Sequence, residues 1–260
     1  MLGPISFQPS ELLKFSYVLY LAAFLASRRE AVRSFKHGFM PFLVITLIAG
    51  ALIIAEPDLG TAGVMALSGI FLFLTAGGLF RHIFIIIGIV AVLLSALVYL
   101  EPYRWERIRV FSNPQYDPQG SGYQLRQALI AIGSGGLFGR GFGMSRQKFD
   151  YLPEPVGDSI FAVAAEEFGF VGSVLLLFLF LIFAWRGLKV AYESEDNFSR
   201  LLGAGIVILI CVQSLVNIAA LSGLLPLTGI PLLFISQGGS ALAVTLAEAG
   251  ILLNISKTRL

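Results

Sequence analysis

The sequence is poor in the residues on which many soluble enzymes rely. It has one cysteine, Cys211, set in an apolar stretch, so no intrachain disulfide can form and the thiol reads as buried and inert. Adding the two histidines, His37 and His82, still leaves too few ligands for a Cys/His metal cluster. Charged residues make up 13% of the 260, against roughly a quarter in soluble domains. The formal net charge of +2 is too small to point to nucleic acid as a partner.

What the chain has in place of charge is hydrophobicity, 57% of its residues and a mean hydropathy of +0.84. The expected fold class is all-α, a polytopic membrane helix bundle. Gln8-Pro9-Ser10-Glu11 opens the first span, with proline in the first turn and an acid at the positive end of the helix dipole. Because Arg28, Arg29, Arg33 and Lys36 follow that apolar run and do not precede it, it is not a cleaved signal peptide. Further spans are expected over residues 39–55, 59–80, 83–100, a fifth entered from Asp158 with its core at 168–185, 201–225 and 240–255, seven in all. In the third, Gly60, Gly63, Ala66 and Gly69 recur every third residue and suggest a face for close helix packing.

The turns after spans one, three, five and seven carry lysine and arginine, and the short turns 56–58 and 226–239 carry none. That bias puts the first set in the cytoplasm and residues 101–157, one large loop, outside. The loop holds seven basic residues near the membrane, Arg104, Arg107, Arg109, Arg126, Arg140, Arg146 and Lys148. Residues 123–132 place Leu125, Leu129 and Ile132 on one face, an interfacial amphipathic helix. The following glycines alternate with Arg140; flexible turns and a phosphate-binding loop are equally good readings of them.

The strongest concentration of charge beside hydrophobicity is YLPEPVGDSIFAVAAEEFGFVG, Tyr151 to Gly172. Asp158 stands at the mouth of the apolar run, with Glu166 and Glu167 about two turns further on. Both histidines lie on the expected cytoplasmic side, so a carboxylate must carry any proton transfer on an outward-facing substrate. Arginines of the same loop suit an anionic leaving group such as a pyrophosphate, and a divalent cation, Mg or Mn, is another way to stabilise it. The deduced class is a transferase acting on a phosphate-activated, lipid-borne donor. Duller readings stand beside this one. Asp158 by position is a helix N-cap, Glu11 and Lys14 neutralise each other, Glu56 and Asp58 form a solvated turn, and Gln213, Asn217 and Glu248 are interhelical glue.

The motifs FQPSELLK, EPDLGTA, GSGYQLRQALIAIGSGGLFGRGFG, SRQKFDYLPEP, DSIFAVAAEEFGFVG and LLPLTGIPLLFISQGGSA resemble, in order and over the whole chain, those of the SEDS family of cell-wall polymerases, the FtsW and RodA type. SRQKF with YLPEP, DSIFAV and ILLNIS is closer to the division-associated FtsW branch. The resemblance implies a single SEDS-type transmembrane domain over residues 1–260, matching spans four to ten of a ten-span fold, with three more spans expected before Met1. It implies a peptidoglycan glycosyltransferase that polymerises lipid II into glycan strands on the outer face of the bacterial cytoplasmic membrane. Its implied partners are a class B penicillin-binding transpeptidase and other divisome membrane proteins.

Carried over by motif, Asp158 is the essential aspartate, and Glu11 and Lys14 are the family's membrane-embedded pair. Arg104, Arg107, Arg140, Arg146 and Ser236 are the further substrate-binding candidates. The chain departs from the family pattern at Val156-Gly157, where His-Thr is usual, and at Ser236-Gln237-Gly238-Gly239-Ser240-Ala241, where SYGGSS is common. A lipid II flippase and a non-catalytic scaffold for the transpeptidase are the alternatives. The first would depend on Glu11, Lys14 and Glu248, the polymerase on Asp158, and the scaffold on no outward carboxylate.

Overall fold

A computed structural model describes residues 8–100, 105, 109–113, 120–149 and 151–257. Eight long helices account for most of them: α1 (Pro9–Ser27), α2 (Met40–Ile54), α3 (Leu59–Thr75), α4 (Phe80–Leu100), α5 (Ser121–Ser134), α6 (Ile160–Tyr192), α7 (Asn197–Leu221) and α8 (Gly239–Lys257). No strand occurs among the described residues, as expected for an all-α bundle. Among the described residues, five segments are long and apolar enough to cross a membrane: α1, residues 35–54 including α2, α6, α7 and α8. α3 and residues 80–90 of α4 are apolar over shorter lengths. The chain divides into two compact units.

The first unit comprises Met1–Val90, Ile182–Gln213 and Gly239–Leu260. α1 starts at Pro9 as its sequence requires, with the Glu11 N–H bonded to the Gln8 carbonyl at 3.2 Å. Asp58 is more than a solvated turn residue: it caps α3, accepting from the Thr61 N–H at 2.9 Å. Gly60, Thr61, Val64, Met65, Ser68, Gly69, Leu72 and Phe73 form the buried face of α3. Of the residues recurring every third position, Gly60 and Gly69 lie on this face, Ala66 is half-buried and Gly63 is exposed, because a period of three drifts around a helix of 3.6 residues per turn. Gly63 faces open space, whereas Gly69 is pressed by the Tyr17 hydroxyl of α1. α3 ends at Thr75 because Gly77 turns the chain at φ 96°, and α4 then takes up Arg81 and His82. His82 is buried against aromatic rings, stacked on Phe39 at 4.5 Å.

The second unit comprises Ala91–Leu181 and Ser214–Gly238. Ala128 and Ala131 of α5 pack with Leu152, Phe161, Ala162, Phe180, Ile218 and Leu232. The buried face of α5 is thus Leu125, Ala128 and Ala131, while Leu129, expected on that face, is exposed. Small side chains let α5 dock closely against its own unit, which a search for large apolar residues overlooks.

α6 runs from just after Asp158, as expected, through the 168–185 core to Tyr192, and it is broken at Gly169, whose backbone is non-helical at φ 67°. A break strands carbonyls before it and N–H groups after it. The glycine-rich segment after α5 takes up both sets. Arg140 and Gly141 N–H groups donate to the Glu166 and Glu167 carbonyls at 3.0 Å each; Phe170 and Val171 N–H groups donate to the Gly136 and Leu137 carbonyls at 2.9 and 3.0 Å. A Cβ on Gly139 would lie 2.1 Å from the Glu167 carbonyl oxygen, so only glycine lets the two backbones approach this closely. These glycine-rich turns act as a splint for the broken helix.

Candidate active site

Asp158 lies two residues before α6, in a turn whose main chain is held by other parts of the second unit. Three consecutive carbonyls are each bonded by a different donor. The Gln237 N–H reaches the Val156 oxygen at 2.8 Å, the Ser236 hydroxyl the Gly157 oxygen at 2.7 Å, and the Asn217 amide the Asp158 oxygen at 2.8 Å. The Ser236 hydroxyl also accepts from the Leu232 N–H at 2.8 Å, and Asn217 also donates to the Ile230 carbonyl at 2.8 Å. Ser236, a candidate substrate contact by sequence, thus has its hydroxyl committed as donor and acceptor within the protein. The two stretches that depart from the family pattern meet here, Val156-Gly157 on one side and Ser236-Gln237 on the other.

The Asp158 carboxylate is left pointing away from this backbone scaffold. It accepts from the Gln124 amide of α5 at 3.3 Å and from the Ser159 hydroxyl at 3.3 Å, and Gln124 also donates to Ser159 at 3.2 Å. The first turn of α6 is served from elsewhere, with the Ala162 N–H bonded to the Ser159 carbonyl at 3.0 Å. These contacts differ from those of an N-cap, in which the carboxylate would accept from first-turn N–H groups. Burial pushes the Asp158 carboxyl above the usual carboxylate range; the bonds from Gln124 and Ser159 oppose that rise and the charge of Glu154 adds to it. Gly229, at φ 68°, passes beside the carboxylate, and a Cβ there would lie 3.7 Å from its oxygen.

Glu166 and Glu167 are buried, and their partners come from the loop after α5. Glu166 accepts from the Ser145 hydroxyl at 2.6 Å and from the Arg146 and Gln147 N–H groups at 3.1 and 3.2 Å, with Arg140 Nε at 3.5 Å. Glu167 is paired with Lys148 at 2.8 Å. Two of the loop cations thereby have a structural reason for their place. Arg140 faces Glu166, and Arg146 leaves its side chain exposed. Arg104 and Arg107 lie outside the described residues.

The other predicted pair sits in the first unit. Lys14 donates to Glu11 at 2.7 Å and to Gln213 at 2.5 Å, all three being buried. Glu248 of α8, also buried, lies within electrostatic reach of both charges. Gln213 and Asn217, both expected as interhelical glue, act in different settings: one completes an ion pair and the other holds the Asp158 backbone. Sequence reasoning did not single out Gln124, although a glutamine beside the apolar face of so short a helix was the available signal. Among the described residues no three His, Cys, Asp or Glu side chains gather as a metal site. Asp158 is accompanied by an amide and a hydroxyl, those of Gln124 and Ser159.

A half-buried carboxylate with a raised pKa, fixed through its backbone and reachable at its side chain, is chemically able to accept a proton. The family model described as cell cycle protein, FtsW/RodA/SpoVE, matches residues 1–260. This chain belongs to that family. It is 44% identical over 256 residues to stage V sporulation protein E of Bacillus subtilis (strain 168), covering 98% of this chain and 70% of that one. It is 40% identical over 252 residues to a probable peptidoglycan glycosyltransferase FtsW of Geobacter sp. (strain M18), covering 96% and 68%. Among solved structures it resembles a chain of a peptidoglycan synthase complex that coordinates polymerization and crosslinking, with a TM-score of 0.79 and 30% identity over 99% of this chain and 72% of that one. It also resembles the rod shape determining protein RodA of Thermus thermophilus, with a TM-score of 0.68 and 30% identity over 100% and 68%. Membership of a membrane family and several apolar helices make this a multi-pass membrane protein.

Proposed function

We propose that this FtsW-like chain is a peptidoglycan glycosyltransferase that polymerises lipid II into glycan strands at the outer face of the bacterial cytoplasmic membrane, with Asp158 as general base. The observation that carries the reading is the Asp158 carboxylate itself, raised in pKa by burial and tied at its main chain to Asn217, with no commitment to the helix behind it. In the proposed step it accepts the proton of the acceptor sugar's 4-hydroxyl as that oxygen bonds to the anomeric carbon of the lipid-linked donor. The bond from that carbon to the pyrophosphate breaks, the pyrophosphate leaves with the electron pair, and configuration inverts. The proton on Asp158 then passes to water. Exposed Arg146, with Arg104 and Arg107, is a candidate for meeting the diphosphate, whereas Arg140 already faces Glu166. The kinship with a synthase complex that polymerises and crosslinks supports a class B penicillin-binding transpeptidase as partner.

The test is incubation of the purified full-length protein and its transpeptidase with labelled lipid II, wild type beside Asp158→Asn and Glu248→Gln. Polymer from wild type and from Glu248→Gln, with none from Asp158→Asn, is the expected pattern. Lipid translocation that survives Asp158→Asn but is lost in Glu248→Gln, without polymer from any form, would replace the polymerase by a flippase.

A further inference from the structure

Within the first unit, a cavity of about 950 Å³ opens where α1, α3 and α6 end and α7 begins. Its lining brings three guanidiniums, Arg29, Arg33 and Arg200, to one concave surface with a single carboxylate, Glu30. The apolar part of the wall includes Leu188 and Tyr192 of α6, both exposed at the end of a helix long and apolar enough to cross a membrane.

Arginines at helix ends commonly serve the helix, bonding its last carbonyls and favouring the negative end of its dipole. Arg28 shows what such a charge looks like here: it donates to the His37 carbonyl at 3.2 Å and lies over the Phe24 ring. Arg29 and Arg33 differ, since neither has a hydrogen bond, ion pair or ring contact with any described residue. Arg200 is oriented by Asn197 within the first turn of α7. Nearby acids have their own work. Asp196 accepts from the Ser199 N–H at 2.9 Å, and Glu193 faces Lys189 at 3.8 Å. The cavity therefore keeps a surplus of positive charge beside an apolar wall at the membrane boundary. Basic pockets between helices at this level suit anionic lipid headgroups, and a tyrosine at the rim is at home at that depth.

We propose that this cavity binds the phosphate-bearing headgroup of an anionic phospholipid in the leaflet bordering the basic turns, with the lipid's acyl chains running along Leu188 and Tyr192. The site is independent of Asp158 and its chemistry. Guanidinium forks match phosphate oxygens, so two arginines free of partners and a third held in place can meet one phosphate from different sides.

The test uses the purified full-length protein in neutral detergent and fluorescent phosphatidylglycerol, with phosphatidylcholine of the same acyl chains as comparison. Phosphatidylglycerol should bind at least tenfold more tightly. The triple variant R29Q/R33Q/R200Q should lose at least tenfold of that affinity, while K36Q/R81Q/K257Q, which removes equal charge from turns outside the cavity, should keep it. Should the first triple variant fold poorly, Arg33→Glu alone at matched thermal midpoint should show a clear loss. Equal binding of the two lipids, or equal losses in the two triple variants, would overturn the proposal in favour of diffuse surface charge. Displacement by millimolar inorganic phosphate would overturn the lipid assignment and leave a free phosphate site.

Discussion

The side-chain amide of Asn217 holds the main-chain oxygen of Asp158 at 2.8 Å and, through the same nitrogen, the carbonyl of Ile230 at 2.8 Å. One residue of α7 thus joins the turn that bears Asp158 to the segment passing beside it. Asn217→Leu would strand two buried carbonyls, a cost of about 1–3 kcal/mol for each unsatisfied group. The expected outcome is a lower thermal midpoint and at least a tenfold fall in polymerisation rate with lipid binding retained. An unchanged rate at matched folding would show that the Asp158 backbone holds its place without Asn217.

Asp158→Asn should fold and bind lipid substrate yet make polymer only at background, since general-base catalysis is worth on the order of 10²–10⁴ in rate. Asp158→Glu moves the carboxylate by one methylene and should also be poor. Glycan chain length from labelled lipid II, read at matched expression, checks both.

The pH profile provides a separate test. A base works only when ionised, and burial raises the Asp158 pKa, so activity should fall on acidification through a limb above the ordinary carboxylate range. Gln124 donates to the carboxylate and favours its charged form. Gln124→Leu removes that help and should move the acid limb to higher pH. A limb that stays put would show that Gln124 does not tune the base.

The Glu11–Lys14 pair was legible because two opposite charges three residues apart in an apolar run have few alternatives to each other. Its third member, Gln213, comes from 199 residues away, and no local pattern announces it. Asp158 stood out for the same reason as the pair, a carboxylate where apolar sequence begins. What escaped was its setting: the carbonyl contacts at 156, 157 and 158 involve donors from α7 and from residues 236–237, one of them a main-chain N–H that any residue supplies. The break in α6 was hidden as well, since Gly169 inside an apolar helix reads as a packing residue until its φ is known.

Removing one member of the buried pair should cost about 3–5 kcal/mol, because the other charge is left without compensation. Glu11→Gln and Lys14→Met are the single changes. Their double variant should lose clearly less than the sum in thermal or denaturant unfolding. Strict additivity would show that the two do not interact.

Glycines separate by what surrounds them. Gly139→Ala faces a carbonyl oxygen at 2.1 Å and a φ of 79°, and should destabilise by about 2–5 kcal/mol through strain and overpacking. Gly63→Ala meets open space within a helix and should be neutral or stabilising by up to about 1 kcal/mol. Thermal midpoints of the two variants in one detergent decide the matter.

The contact between Val156 and Gln237 is made by the carbonyl of one and the N–H of the other, so neither side chain takes part in it. Both side chains are exposed, so substitution at either site can change bulk, polarity or charge on the surface while the main-chain bond that helps hold the Asp158 turn is kept. The turn is thus tied by a contact that does not depend on which residues occupy these two positions, proline at 237 excepted.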